Sequence, residues 1–178
     1  RLVALPGAGT EVPIWLLGSS LFSAQLAAER GLPYAFASHF APGLLDQALA
    51  TYRETFRPSD LLAAPHVMVA MSVIAADSDD EAKFLASSME QSFAALRTGT
   101  PGRLRPPVAG FRESLPPEAL ASMDAMRSVS AIGGVDTVRA AMQGLIARTG
   151  ADELILGGSI WDPAAQRRSL EITMAALS

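Results

Sequence analysis

The chain has 178 residues, of which 49% are hydrophobic, and its mean hydropathy is +0.26. This length suffices for one domain, or a large piece of one, and no apolar run approaches the roughly 18 residues of a membrane span. A net charge of −4 with scattered arginines argues against a nucleic-acid partner, and the absence of cysteine excludes disulfides and thiolate metal sites. We therefore expect a soluble, cytoplasmic protein with neither a membrane nor a nucleic-acid partner.

Residues 1–13 are predicted to be an extended lead-in. Pro6 and Gly7 interrupt its apolar run, which is too short for a secretory signal. Because the sequence does not begin with methionine, we expect it to start inside a longer polypeptide; removal of the first residue by processing is the alternative explanation.

The run from Ile14 to Gly18 is typical of a strand buried on both faces, and a helix closed by Gly31 follows it. Ser19 and Ser20 stand between the two elements. The free N–H groups and partial positive charge of a helix N-terminus suit a phosphate. Serine is also a common helix cap, so the segment alone leaves both interpretations open.

Three further apolar runs predict strands at 34–38, 67–75 and 153–158. Each is continuous rather than alternating, as in a parallel sheet covered on both sides. We therefore expect four parallel neighbouring strands with helices on the outside.

Helical spacing of apolar residues predicts helices over 45–56 and 82–96. The second opens with Asp77, Asp79, Asp80 and Glu81, which suit the positive end of a helix dipole. A cation site is the alternative interpretation of these carboxylates.

Glycine and proline interrupt the pattern at 98–117, which predicts a loop or insertion. Helices resume at 118–129 and 135–149. A final helix starts at Asp162 and Pro163, and we expect it to carry Leu170, Met174 and Leu177 inward. Four strands with their helices amount to half of a (β/α)8 barrel.

Four segments carry a resemblance to a known family: LGSS at 17–20, AAERGLP at 27–33, FASHFAP at 36–42 and GADELI at 150–155. Their order and spacing resemble those of the bacterial luciferase-like flavin monooxygenases. The resemblance implies an α/β fold of the (β/α)8 TIM-barrel type. On this interpretation residues 1–178 supply about the last four β/α units, the C-terminal half of the barrel, with an irregular insertion at about 98–117.

Half a barrel would expose unpaired strand edges and an apolar inner face. Either an N-terminal barrel half is missing from this chain or a second subunit completes it, and we favour the first explanation. We also expect a homo-oligomer.

In such barrels the working residues follow the carboxyl ends of the strands. The resemblance implies that Gly18, Ser19, Ser20 and Ser23 hold the phosphate of FMN. His39 is the candidate catalytic residue, since an imidazole can donate to an oxygen or transfer a proton near neutral pH. A structural hydrogen bond to a neighbouring backbone group is the alternative role of His39.

The other aromatic and imidazole side chains carry weaker hypotheses. His66 follows Pro65 at the entrance of a strand and is interpreted as structural. Phe40 and Trp161 could border a flat aromatic ligand, although ordinary packing explains them as well. No metal site is predicted.

The resemblance implies a flavin-dependent monooxygenase that uses reduced FMN, supplied by a separate flavin reductase, and molecular oxygen to oxidise a small organic substrate. The 178 residues alone are expected to be inactive. The alternatives are a deazaflavin-dependent oxidoreductase on the same fold and a non-catalytic flavin-binding or assembly module.

Overall fold

The computed structural model describes Val3 and residues 5–177. In this part of the chain the strands are β1 Leu16–Gly18, β2 Tyr34–Phe36, β3 Val67–Ala75, β4 Ser130–Gly133 and β5 Glu153–Gly157. The helices are α1 Leu21–Arg30, α2 Leu45–Thr55, α3 Asp79–Arg97, α4 Pro117–Met126, α5 Val135–Thr149 and α6 Pro163–Leu177. None of these helices is both long and apolar enough to cross a membrane. The predicted lead-in has neither helix nor strand at Val3 and 5–13, and its residues 1, 2 and 4 lie outside the described residues.

All described strand pairs are parallel, and β3 is the centre of the sheet. Met68 and Val69 pair with both β2 and β5, while Ser72 pairs with both β4 and β5. Therefore β5 runs along one edge of β3, and β2 and β4 share the other edge. The four predicted strands are confirmed, but the expected number was wrong because β4, only four residues long, was not predicted.

The main core lies between one face of the sheet and helices α1, α2, α5 and α6. Alternate side chains of β3 point into it, since successive residues of a strand face opposite sides. These are Val67, Val69, Met71, Val73 and Ala75, packed with residues such as Ala24, Leu45, Val138 and Ile172. The four helices therefore cover the outer face, as predicted.

Helix α3 packs on the other face of the sheet from the main core. Its residues Ala82, Leu85 and Ala86 cluster with Ile74 and Ile160, and Ile74 is on the opposite face of β3 from the main core. The expectation that all helices lie outside the sheet was therefore wrong for α3. Amphipathic spacing marks a buried side of a helix but does not tell which face of the sheet receives it.

The segment after α3 returns along that helix. The side-chain amide of Gln91 donates to the Pro106 carbonyl at 2.9 Å, and the Val108 N–H donates to the Ser87 hydroxyl at 2.8 Å. The segment has no strand or α-helix before α4, only a single 3-10 turn at Arg112–Ser114. Residues 76–129 thus form one excursion that leaves β3 and comes back to it through β4.

A buried ionic cluster ties this excursion together. Glu90 is 1% exposed, and its Oε1 atom accepts from Arg112 Nη1 at 3.0 Å and from Arg127 Nη1 at 2.6 Å. Arg112 also binds Asp124. A shared buried carboxylate therefore joins α3, the return segment and the end of α4.

The inward face of α6 differs from the prediction. Leu170, Met174 and Leu177 are 52%, 63% and 51% exposed, whereas the buried residues are Ser169, Ile172, Thr173 and Ala176. The Ser169 hydroxyl accepts from the backbone N–H of Ala75 at 2.9 Å. A polar side chain occupies the interior here because it satisfies a donor at the end of β3.

The sheet is not closed. In the described part of the chain β1 pairs only with β2, whereas β4 and β5 pair only with β3, so each of these strands keeps one free edge. On the inner face Leu17 is 67% and Ile155 53% exposed. Free strand edges and an apolar face open to water are the features expected of half a barrel.

Candidate functional site

The turn after β1 is built around a helix cap. Ser20 has extended backbone angles and precedes α1, and its hydroxyl accepts from the N–H of Ser23 at 3.3 Å. The Ser23 hydroxyl accepts in return from the N–H of Ser20 at 3.3 Å. Ser20 therefore does cap α1, and the two serines form a reciprocal capping box.

Ser23 is buried and makes further hydrogen bonds inside the protein. Its hydroxyl donates to the Ser20 carbonyl at 2.6 Å and lies 3.0 Å from the hydroxyl of Tyr34. The side chain is 9% exposed. The structure thus brings Ser20 and Ser23 together at the end of β1.

The cap leaves hydrogen-bond donors free. Among the described residues no acceptor faces the backbone N–H groups of Leu21 and Phe22, and Ser20 itself is exposed. The first turn of α1 contains no acidic residue. An anion can therefore approach two free N–H groups and a serine hydroxyl at the positive end of this helix.

His39 follows β2 at the neighbouring strand end. Its ring contacts that of Phe40 at a centroid distance of 4.3 Å, and it makes no hydrogen bond to the described residues. The alternative role of His39, a bond to a neighbouring backbone group, is therefore not seen. The imidazole remains available to a ligand.

His39 lines an open cavity of about 360 Å³ on the inner face of the sheet. Ala70 and Ser72 come from β3, Ile155 and Gly157 come from β5, and α3 contributes Met89. The walls are mainly apolar, with serine hydroxyls at positions 72 and 159. His39 is the titratable side chain among the lining residues, so it is the group able to exchange a proton there.

Met89 was not predicted as a site residue. It reaches the cavity because α3 packs on the inner face of the sheet, which the sequence pattern did not indicate. The predicted phosphate residues do not line this cavity, so the serine turn and the His39 cavity are separate features at neighbouring strand ends. Neither Phe40 nor Trp161 lines it, and their exposed fractions are 76% and 48%.

His66 lies at the opposite end of β3. Its Nε2 atom is 2.8 Å from Glu153 Oε1, and its ring contacts Trp15 edge-on at 5.4 Å. It joins the starts of β3 and β5, in agreement with its predicted structural role.

Three of the four acidic residues at the start of α3 have protein partners. Asp79 accepts from the Gly134 N–H at 2.6 Å and from the Thr137 hydroxyl at 2.9 Å. These bonds hold the pKa of the Asp79 carboxyl below its usual value. Asp77 binds Arg168 and Asp80 binds Lys83. The described residues contain no group of three or more His, Cys, Asp or Glu side chains able to hold a metal ion.

A family model and a curated relative both match this chain. The model of the luciferase-like monooxygenase family matches residues 1–153. A luciferase-like monooxygenase from Escherichia coli strain K12 is 46% identical over 170 residues, which cover 96% of this chain and 51% of that protein. The chain thus spans about half the length of the curated relatives it matches.

Solved structures agree on the fold. The crystal structure of apo-MsnO8 matches with a TM-score of 0.80 and 28% identity, covering 99% of this chain and 54% of that one. The oxygenating constituent of 3,6-diketocamphane monooxygenase from Pseudomonas putida, solved with FMN, matches at 0.63 and 22%, covering 89% and 46%. A coenzyme F420 dependent tetrahydromethanopterin reductase from Methanopyrus kandleri matches at 0.56 and 15%, covering 94% and 50%.

The fold class is therefore confirmed as an α/β fold of the TIM-barrel type, of which this chain forms a part. The match of the family model over most of the chain and the 46% identity to a curated member confirm the resemblance found in the sequence. The chain belongs to the luciferase-like monooxygenase family.

Proposed function

We propose that the full-length protein is a flavin-dependent monooxygenase that uses reduced FMN and molecular oxygen to oxidise a small organic substrate. The observation that carries the proposal is the glycine-serine turn at the start of α1. There the N–H groups of Leu21 and Phe22 have no acceptor among the described residues, and Ser20 is exposed. Family membership, and a structural neighbour solved with FMN, support the same class of cofactor.

The residues of the turn fit a phosphate. Backbone N–H groups and hydroxyl donors are the groups that bind phosphate at helix N-termini. We assign the phosphate of FMN to Ser19, Ser20 and Ser23, with Gly18 allowing the close packing of the turn. When bound, reduced FMN would supply the electrons and activate oxygen, while the protein binds and orients the cofactor.

His39 is assigned to the reacting region. It stands beside the apolar cavity on the inner face of the sheet, and its ring makes no hydrogen bond to the residues that the structure describes. From there it can donate to an oxygen of the substrate or of the flavin ring, or exchange a proton with the substrate. Met89 and Ile155 line the same cavity and would exclude water from it.

The serine turn and the His39 cavity lie at strand ends of a sheet that further strands must close into a barrel. The chain covers about half the length of its curated relatives, and the free edges of β1 and β5 call for further strands. We propose that an N-terminal barrel half provides them, and that the 178 residues alone are inactive. A separate reductase would supply the reduced flavin, and the complete protein would form a homo-oligomer.

A deazaflavin-dependent oxidoreductase is the second candidate. The observation that favours it is the similarity of fold to F420-dependent enzymes, among them the reductase of Methanopyrus kandleri. Such an enzyme would transfer a hydride without using oxygen. A non-catalytic flavin-binding module is a third possibility, which the same experiment addresses.

The experiment uses the full-length protein with reduced FMN generated by an added flavin reductase. Oxygen consumption that depends on the protein, together with oxygen incorporation into an offered organic substrate, supports the monooxygenase. Reduction of F420 with an alcohol, without oxygen uptake, supports the second candidate. A folded protein that binds FMN but shows neither activity contradicts both enzymatic proposals.

A further inference from the structure

Tyr34 lies directly behind the serine turn. Its side chain is fully buried, and its hydroxyl is 3.0 Å from the Ser23 hydroxyl and 3.4 Å from the Ser20 carbonyl oxygen. Ser23 and this carbonyl are already joined by a hydrogen bond of 2.6 Å. The phenol therefore reaches both ends of one hydrogen bond.

Counting protons limits the directions of these bonds. A hydroxyl carries one hydrogen, and that of Ser23 is donated to the Ser20 carbonyl. The Tyr34 hydroxyl then has two acceptors within reach, the Ser23 oxygen at 3.0 Å and the Ser20 carbonyl oxygen at 3.4 Å, and we place its hydrogen on the shorter contact, to Ser23. Burial raises the pKa of Tyr34 above its usual value, so the phenol keeps its proton near neutral pH. In this arrangement Ser23 has no proton left for a ligand.

We propose that Tyr34 is a positioning residue that frees the Ser23 hydroxyl for the cofactor phosphate, an inference that rests on the proposed function. When the anion reaches the turn, the Ser23 hydrogen rotates from the Ser20 carbonyl to the phosphate. The phenol hydrogen then moves from the Ser23 oxygen to the vacated carbonyl. The Ser23 and Tyr34 hydroxyls each donate one hydrogen bond before the change and one after it, so the carbonyl keeps a side-chain donor.

The hydroxyl of Tyr34 is separable from the packing role of its ring. The ring lies among Phe36 and Tyr52, at centroid distances of 6.2 and 5.3 Å. Phenylalanine would preserve those contacts. Without the phenol, Ser20 O would keep only the helix bond from the Ala24 N–H, at 3.3 Å, once Ser23 turned to the phosphate. Tyr34→Phe therefore tests the hydroxyl alone.

The test compares the affinities of the full-length protein for FMN and for riboflavin, which lacks the phosphate. The dissociation constant for riboflavin divided by that for FMN reports how much the phosphate contributes to binding, and this quotient is the ratio used below. Tyr34→Phe is expected to lower this ratio about threefold to tenfold, the equivalent of one hydrogen bond, and to leave riboflavin affinity unchanged. An unchanged ratio overturns the proposal, and so does an equal loss of affinity for both ligands.

Tyr52→Phe is the matched control. Tyr52 is also fully buried. Its hydroxyl donates to the Leu32 carbonyl at 2.8 Å and accepts from the backbone N–H of His66 at 3.2 Å, so its hydrogen bonds do not involve the serine turn. Its loss should leave the FMN to riboflavin ratio as it is. A similar fall in both tyrosine variants would mean that the effect is general and would overturn the specific role of Tyr34.

A double variant tests whether Tyr34 acts through Ser23. Ser23→Ala alone should lower the ratio, and adding Tyr34→Phe should then lower it no further. Additive losses overturn the proposal.

Ser20→Asp separates this inference from the proposed function. If the aspartate leaves the ratio unchanged, or if the wild-type protein binds FMN no better than riboflavin, the phosphate site itself is wrong and the role of Tyr34 falls with it. If the aspartate abolishes the preference for FMN while Tyr34→Phe does not alter it, only the role of Tyr34 is overturned.

Discussion

The Ser23 hydroxyl occupies the space that a side chain at Gly18 would need: an ideal β-carbon on Gly18 would lie 2.2 Å from the Ser23 oxygen. Gly18→Ala should therefore displace Ser23 and disrupt its bonds to Ser20 and Tyr34. We expect a loss of about 1–3 kcal/mol in the free energy of unfolding, as for other overpacked sites, and weaker FMN binding. Chemical denaturation and FMN titration of the full-length protein measure both.

Gly157→Ala is the matched control for Gly18→Ala. Gly157 also ends a strand, and nothing lies within 4 Å of its ideal β-carbon. The free energy of unfolding should change little. Equal losses in the two variants would contradict the packing argument for Gly18.

Substitutions of Ser20 distinguish a phosphate ligand from a simple helix cap. Ser20→Ala should cost about 1 kcal/mol of stability through loss of the cap and weaken FMN binding by about 1–3 kcal/mol. Ser20→Asp should retain the cap, because aspartate is as good a cap as serine. It should nevertheless weaken FMN binding more than alanine does, because it sets a negative charge against the phosphate. FMN affinity that is unaffected by the aspartate would leave Ser20 as a cap only.

Glu90 is expected to be important for the stability of the excursion between β3 and β4. Glu90→Ala would leave Arg112 and Arg127 without their shared buried carboxylate. Breaking a buried ion pair by removing one partner costs about 3–5 kcal/mol. Chemical denaturation should show this loss for Glu90→Ala and almost none for Glu113→Ala, since Glu113 is exposed in the same excursion and forms no ion pair with the described residues. A loss below about 1 kcal/mol for Glu90→Ala, the range of surface pairs, would contradict the assigned role.

Asp79 should make stability depend on pH in the acid range. Its pKa is lowered below the usual 3.8, first by the Gly134 N–H and then by the Thr137 hydroxyl. The ionised carboxylate therefore stabilises the fold fully above pH 3.8, and this contribution is lost as the pH falls through the lower pKa of the folded state. The stability difference between the wild type and Asp79→Asn should shrink below that pH. Asp80→Asn, which removes only an exposed pair with Lys83, should differ little from the wild type throughout, and a constant difference for Asp79→Asn would contradict the prediction.

The sequence was most informative where local pattern determines structure. Continuous apolar runs located four of the five described strands, and Ser20 and Gly31 marked the two ends of α1 because caps depend on nearby backbone groups. β4 was missed because four residues are too few to establish a period.

Features that depend on distant residues were not predictable in the same way. Glu90 meets Arg112 and Arg127, which lie 22 and 37 positions further along the chain, and an isolated glutamate in a helix gives no sign of burial. The Tyr34 hydroxyl reached the serine turn because β2 pairs with β1. Met89 lines the His39 cavity because α3 packs against the inner face of the sheet. Each of these contacts follows from packing, for which the local pattern contains no signal.

The isolated 178-residue chain is predicted to associate or precipitate rather than remain a stable monomer. Its outermost strands β1 and β5 keep free edges, and Leu17 and Ile155 expose apolar surface on the inner face. Free edges pair with other chains, and apolar patches drive association. Charged residues at Leu17 and Ile155 should reduce the association, whereas the same substitutions at Leu61, which is 72% exposed outside the sheet, should not. Sedimentation showing a monomer, with cooperative unfolding, would count decisively against the need for a completing half-barrel.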